Sequence, residues 1–454
     1  MYAIYILKCS DESYYTGLTN DLEKRIWQHE TGFFNDCYTF KRRPIKLLWF
    51  TIVETTEEAN KLEKQIKGWS RKKKEALIKG NIDELKRLSN EKKPILNRPS
   101  SSSGLDVIIV GQGISGTFLS YYLRKFNVSF LVIDESKPNT ASKAASGIIN
   151  PITGRRIVKT WMIDELISFA KNAYHQIGNE LNIDCLSKTK IIDFFPTPQM
   201  RNAFLKRHEE DKEFLNLPTN ENDQREYFNY DFGYGGIEPV YLIDINLLLS
   251  SFRKKLLVTQ QLLEEHFDIN ELKISENKIE YKNITADKII FCDGIESFSN
   301  PYFKNLPFAP NKGEALIIEA ENLPSEFIFK KGMNIVPLKN KLFWVGSSYE
   351  WEFENELPNK IFRERTELTL LDWLKSPFKI VEHFASVRPA TLERRPFVGF
   401  HPTHKNIGIL NGMGTKGCSL APYFGKQLVE NMFNQSPIHR EADIDRFARI
   451  LTKS

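Results

Sequence analysis

Cysteine is scarce in this chain, and odd in number. Five residues, Cys9, Cys37, Cys185, Cys292 and Cys418, are scattered over 454 positions without one C-x-x-C spacing. An odd, dispersed set excludes a disulfide framework and a thiolate zinc site, and it fits a reducing compartment. No apolar run reaches the roughly 20 residues of a membrane span, so no membrane partner is expected. The opening MYAIYILKCSDES has no basic segment before its short apolar run and no small-residue cleavage site after it. No secretory signal is expected there, and the expected location is the cytoplasm. Internal repeats are also missing, which sets aside solenoids and propellers.

What remains is ordinary in bulk and uneven in distribution. Hydrophobic residues make up 41% and charged residues 27%, the balance of a globular protein with a real core. The length suits two or three domains. Residues 1–100 hold 20 Lys and Arg against 14 Asp and Glu, while the rest of the chain holds 43 against 44. The net charge of +5 therefore belongs to the first segment alone. A basic lobe points either to an anionic partner such as nucleic acid or to a solvated lysine-rich surface.

The joint between the halves reads NEKKPILNRPSSSSG, residues 90–104. Charge, two prolines and a serine run without an amphipathic period predict a flexible tether. Ahead of it, YAIYILKC, SYYTGLT and IKLLWFTIVE predict three strands. NDLEKRIWQHET predicts a helix capped by Asn20 or Asp21, and TTEEANKLEKQIKGWS a second one with Thr55 or Thr56 at its cap. Residues 1–89 are thus a small α+β domain. Beyond the tether, VIIVGQGISG runs a buried strand into Gly111, Gly113 and Gly116 and then a helix. The first glycine allows the tight turn, the second lets backbone approach a pyrophosphate, and the third lets helix and strand pack closely. Asp134, ending the next strand, is placed to bond a ribose hydroxyl. These thirty residues do not choose between FAD and NAD.

The stretches that follow do. ASKAASGIINP (141–151), KGEALII (312–318), SVRPATLERRPFVGF (386–400) and ILNGMGTKGCSLAPYFGKQL (409–428) together resemble the D-amino acid oxidase family of flavoproteins, glycine oxidase especially. The resemblance spans residues 105–435. It implies an FAD-binding Rossmann-type α/β domain with an interleaved antiparallel-sheet substrate domain, acting on the carbon–nitrogen bond of a small amine or amino acid. FAD-binding parts are expected at about 105–240 and 380–440, and a substrate part at about 241–379, within a second domain of residues 105–454. Ser146 and Gly147 are expected beside the flavin, with Gly412, Gly414 and Gly417 at its ring. Arg388 stands where the family grips a substrate carboxylate, and Tyr241, in EPVYLID, is expected to line the same pocket. The loop GMGTKGCSLAP also resembles that of the flavin domain that oxidises a modified wobble uridine in tRNA, which implies an alternative, nucleic-acid-directed flavoenzyme with the first lobe as its RNA- or DNA-binding module.

YAIYIL, YYTGLT, LEKRIWQHETG, YTFKRRPIKLLWF and EANKLEKQIKGWSRKKKEAL resemble the GIY-YIG nuclease family in its short stand-alone bacterial form, with Ala3 replacing a glycine of the first motif. The resemblance implies phosphodiester hydrolysis. Tyr5 and Tyr15 would flank the attacking water, Arg25 would neutralise the phosphate, and His29 lies one helical turn from Arg25. Glu63 would hold one divalent ion, magnesium, at the leaving oxygen. Each residue also has a plainer reading: tyrosines fill cores, and Glu63 pairs with Lys67 one turn away.

Overall fold

The computed structural model describes residues 2–33, 38–67, 69, 71–81, 104–154, 156–275 and 278–452. The chain divides into two compact units, Met1–Ser101 and Ser102–Ser454. The tether read from residues 90–104 lies outside the described residues except for Gly104.

The first unit runs β1 (Tyr2–Lys8), β2 (Tyr14–Thr19), α1 (Leu22–Thr31), β3 (Lys46–Val53), α2 (Thr56–Lys67) and α3 (Arg71–Ile78). Its sheet is antiparallel in the order β2-β1-β3. Period-two alternation in β1 sends Ile4 and Ile6 into a core with Ala59 and Ile66 of α2. Tyr5, between them, points to the opposite face. Asp21 caps α1 by accepting from the Lys24 N–H, and Gly32 ends it in the left-handed region.

The second unit begins with β4 (Leu105–Val110), α4 (Ile114–Lys125), β5 (Phe130–Ile133), α5 (Ile163–Leu181), β6 (Leu186–Phe194), β7 (Tyr234–Ile243), α6 (Ile245–Val258) and β8 (Ile284–Phe291). It continues through β9 (Asn311–Glu319), β10 (Ile328–Lys331), β11 (Met333–Pro337), β12 (Leu342–Gly346), α7 (Lys360–Trp373), β13 (Lys379–Arg388), β14 (Ile407–Asn411) and α8 (Gly417–Asn434), with shorter pieces between.

Two sheets share these strands. In the first, β5, β4, β8 and β14 pair in parallel, with the short strand Leu262–Leu263 beside β5. Parallel strands need helical crossovers, so they are covered on both faces and read as unbroken apolar runs such as VIIV. The second sheet has nine strands, and its main path includes β7-β6-β10-β11-β12-β9-β13. One apolar core joins α4, α5 and α8 to β4 and to the inner face of the second sheet. A second core, with Phe194, Phe228, Leu370 and Trp373, lies between the larger sheet and α7.

The sheets correct the expected partition of the second domain. β6 and the first part of β7, expected in the FAD-binding part, belong to the nine-stranded sheet. Leu262–Leu263 and β8, assigned to the substrate part, belong to the parallel sheet. The chain crosses between sheets more often than two cuts allow. Local patterning marks a segment as a strand but does not name the sheet that it joins. No helix among the described residues is long and apolar enough to cross a membrane.

Candidate active sites

A cavity of about 1690 Å³ runs through the second unit between the two sheets. It exceeds the roughly 300–1,000 Å³ of ordinary small-molecule pockets, so it has room for an extended dinucleotide and a substrate together. One end is the turn from β4 into α4. Gly111 has φ +96°, and a Cβ there would come within 2.5 Å of the Cys292 carbonyl oxygen. Gly113 is the N-cap of α4, and the Ile114 N–H donates to Ser142 Oγ at 3.0 Å. Gly116 is not in the cavity wall; it lies so close under the turn that a Cβ would overlap Gly111 O. Gly111, Gly113, Asp134, Ser146, Gly147, Gly412, Gly414 and Gly417 all line the cavity. Backbone cradles that a Cβ would fill, at a helix N-terminus, fit the pyrophosphate of FAD.

Asp134 is closely held. Its Oδ2 accepts from the Gln112 N–H at 2.8 Å, and its Oδ1 accepts from the Ser136 N–H at 2.8 Å and from Arg253 Nη1 at 2.6 Å.

The far end is built by β9 and β13, which pair Asn311 with Arg388 and Gly313 with Ser386. The Arg388 guanidinium occupies the space that a Cβ on Gly313 would take. It donates to Asn311 Oδ1 (2.5 Å), Ser347 Oγ (2.7 Å) and the Ser348 carbonyl oxygen (3.2 Å), and it sits 4.9 Å from the Tyr349 ring centre. Among the described residues it pairs with no carboxylate, and burial pushes its pKa down. A half-buried cation with only neutral partners is a place for an anion.

Tyr241 is corrected. It is 8% exposed on β7 in the apolar core and does not line the cavity. In a strand the neighbouring residue faces the other way, and the sequence does not say which face meets the ligand.

Sequence reasoning missed three cavity groups. Lys416 sits just before α8, and burial pulls its ammonium down to about 8. Asp193 of β6 and Lys330 of β10 form a 2.7 Å ion pair in the wall, and desolvation raises the Asp193 carboxyl. Lys416 stood inside a motif read for its glycines, whereas the pair joins residues 137 apart and left no local signal.

In the first unit, β1 brings Tyr5 under α1. Its hydroxyl is 2.9 Å from His29 Nε2, and His29 Nδ1 is 2.7 Å from Thr39 Oγ1. Tyr5 lies across the sheet from Gly17, where a Cβ would fall 2.5 Å from the phenol oxygen. Tyr15 packs against the His29 ring at 5.1 Å, and Arg25 hydrogen-bonds both phenols. Burial raises the Tyr5 phenol to about 12; burial and then the Arg25 charge lower His29 to about 4. Four of the five expected residues therefore meet. Glu63 Oε1 is 3.2 Å from Lys67 Nζ on α2, a helix that packs on β1 and β2. Among the described residues no three His, Cys, Asp or Glu gather as a metal cage. Magnesium keeps most of its waters and takes one or two carboxylates, so a lone Glu63 is chemically compatible with it.

The sheet of parallel strands with antiparallel additions, its glycine turn and the interleaved, mainly antiparallel sheet, in which β6 and β10 pair in parallel, define a two-part dinucleotide-binding fold preceded by a small α+β unit. Residues 106–431 match the model of the FAD dependent oxidoreductase family, and the chain belongs to that family. Residues 1–76 match the GIY-YIG catalytic domain. Over 82 residues the chain is 43% identical to a UPF0213 protein of Syntrophus aciditrophicus (strain SB), covering 18% of this chain and 94% of the relative. A UPF0213 protein of Clostridium perfringens (strain 13 / Type A) is 49% identical over 75 residues, 16% of this chain and 80% of its own. Glycine oxidase from Geobacillus kaustophilus shares the fold at TM-score 0.63 and 17% identity, over 76% of this chain and 98% of that one. Iminodiacetate oxidase from Chelativorans sp. BNC1 shares it at TM-score 0.59 and 18% identity, over 75% and 98%.

Proposed function

We propose that residues 105–454 oxidise the carbon–nitrogen bond of a small amine or amino acid, and that residues 1–89 are a separate, metal-dependent endonuclease joined by the tether at 90–104. The site of both activities is the cytoplasm. The observation that carries the oxidoreductase reading is Arg388: a positioned fork that, among the described residues, has no carboxylate partner, in the wall of the cavity. A guanidinium so held can pair with a substrate carboxylate that replaces the Ser348 carbonyl, the most distant of its acceptors at 3.2 Å from Nη1 and 3.3 Å from Nη2, and so fixes which hydrogen of the neighbouring carbon faces the ring. FAD, when bound, supplies the two-electron acceptor. Gly111, Gly113 and Asp134 would hold its adenosine and pyrophosphate, and Ser146, Gly147, Gly412, Gly414 and Gly417 its ring. Lys416 has a sizeable neutral fraction near pH 8, so its Nζ can take the proton that a substrate ammonium must lose before oxidation.

Substrates named for the structural neighbours, glycine and iminodiacetate, are small and carry carboxylates. The cavity wall agrees with that scale. Glu350, Glu352, Glu354 and Glu356 follow Tyr349, and Tyr349, Trp351 and Glu356 reach the cavity, an acidic stretch that repels a polyanion. This favours a small molecule over the tRNA reading. In residues 1–89, Arg25 and the two phenols supply the charge and hydrogen bonds for phosphodiester hydrolysis, with Glu63 as ligand to magnesium. The test is a visible spectrum of the purified protein, followed by anaerobic titration with amines, amino acids and modified RNA. Bleaching by a small carboxylated amine is expected. Bleaching by modified RNA alone would overturn the reading.

A further inference from the structure

Every N–H of Arg253 has an acceptor. The residue comes from α6, and its side chain is 13% exposed. Nη1 donates to Asp134 Oδ1 (2.6 Å) and Gln112 Oε1 (3.2 Å); Nη2 donates to the Asp134 carbonyl oxygen (3.1 Å) and Glu264 Oε1 (3.0 Å); Nε donates to Glu264 Oε1 (3.2 Å). A guanidinium has five N–H groups in a planar fork, so this one is satisfied completely. One side chain thereby ties together the glycine turn through Gln112, the end of β5 through Asp134, and the residue after the strand Leu262–Leu263 through Glu264.

The arrangement decides what Asp134 has left to offer. A carboxylate oxygen accepts about two hydrogen bonds. Oδ1 already has two donors, the Ser136 N–H and Arg253 Nη1, whereas Oδ2 has one, the Gln112 N–H. One acceptor position therefore remains, on Oδ2, and Asp134 is in the cavity wall. Without Arg253, Oδ1 would regain a free position and the carboxylate would lose the donor that holds it turned.

We propose that Arg253 is a positioning residue for the adenosine ribose of FAD, saturating Asp134 Oδ1 so that Oδ2 is presented to a ribose hydroxyl. The proposal rests on Asp134 being the ribose acceptor. Its test is binding to the apoprotein of the full chain, read by quenching of flavin fluorescence, with FAD and with an FAD analogue whose adenosine lacks both ribose hydroxyls. Arg253→Lys keeps the charge and loses the fork; Arg253→Gln removes the charge, and apoprotein melting reports whether either variant is damaged. Arg253→Lys is expected to weaken FAD by about 10- to 100-fold while changing the affinity for the dideoxy analogue by less than about twofold. In Asp134→Asn, adding Arg253→Lys is expected to cost little more. Equal losses for both ligands, or no loss of FAD affinity, would overturn the positioning role. If Asp134→Asn itself leaves FAD affinity unchanged, the ribose reading fails first and the proposal with it.

Discussion

Gly313→Ala displaces Arg388 without altering its charge. The new Cβ would stand 2.5 Å from Arg388 Nη1 and closer still to Cζ and Nη2. Ordinary carbon contacts lie at roughly 3.5–4.0 Å, so the guanidinium must move by about 1 Å or more. It is the end of a flexible side chain, and Gly313 has no positive φ, so the strand itself survives. The hydrogen bonds to Asn311 and Ser347 do not. Charge-assisted hydrogen bonds are worth about 1.5–3 kcal/mol each, and losing a two-point grip on a carboxylate costs about 2–4 kcal/mol in the transition state. That is roughly 30- to 1,000-fold in kcat/KM. The assay is anaerobic bleaching by the substrate found for the wild type, with bound FAD measured from the visible spectrum. FAD content is expected to be unchanged and bleaching slowed by that factor, with Arg388→Leu showing a loss at least as large. Full FAD with unaltered bleaching in Gly313→Ala would refute the argument, because it would mean that Arg388 can move freely without consequence to the substrate.

The two inner glycines of the turn separate folding from cofactor binding. A Cβ added at Gly113 meets the Ser142 side chain, Oγ at 3.0 Å and Cβ at 3.8 Å, and no backbone atom within 4 Å beyond its own neighbours, so Gly113→Val is expected to fold but purify colourless. Gly116→Val drives a side chain into Gly111 O, a backbone atom, and is expected to lower the melting temperature by several degrees or give insoluble protein; a yellow, stable Gly116→Val would contradict the packing. In the first unit, Glu63→Ala is expected to abolish magnesium-dependent cleavage while salt-sensitive nucleic-acid binding persists, and cleavage that survives the change would place the metal elsewhere. His29 supplies a pH signature. Its folded pKa of about 4 lies below the usual 6.5, so the unfolded chain takes up a proton that the folded one refuses. Stability of the first unit is therefore full above pH 6.5 and falls, by about 3 kcal/mol at most, as pH drops to 4. Urea midpoints read at amides of α1 in the full chain should show that slope in the wild type and lose it in His29→Gln; a wild type without the slope rules it out.

What was legible in the sequence was local. GQGISG carries its own turn and helix start, and β1 and β2 announce themselves by alternation, so Tyr5, Tyr15, Arg25 and His29 were placed together from spacing and resemblance alone. What was not legible joins distant parts of the chain. Arg253 is 119 residues from Asp134, and Asp193 is 137 from Lys330. Asp193 and Lys330 meet because β6 and β10, far apart in the chain, are neighbours in one sheet, and no periodicity within ten residues encodes that. Tyr241 failed for a smaller reason: β7 has two faces, and one of them is core. Glu63 and Lys67 were readable as a pair from their helical spacing, a pattern equally compatible with a metal ligand.

The interleaving also sets a timetable for synthesis. β14 completes the parallel sheet beside β8, and the Tyr174 hydroxyl waits for the carbonyl of Cys418, 244 residues later. At about 5–20 residues per second, the second unit spends tens of seconds on the ribosome with β4, β5 and α4 made but their last neighbours not yet translated. The first unit, whose strands pair within residues 2–53, is finished long before. A nascent chain of this protein is therefore a folded basic lobe trailing unburied apolar strands, the species that holdase chaperones bind and that aggregates when they are scarce.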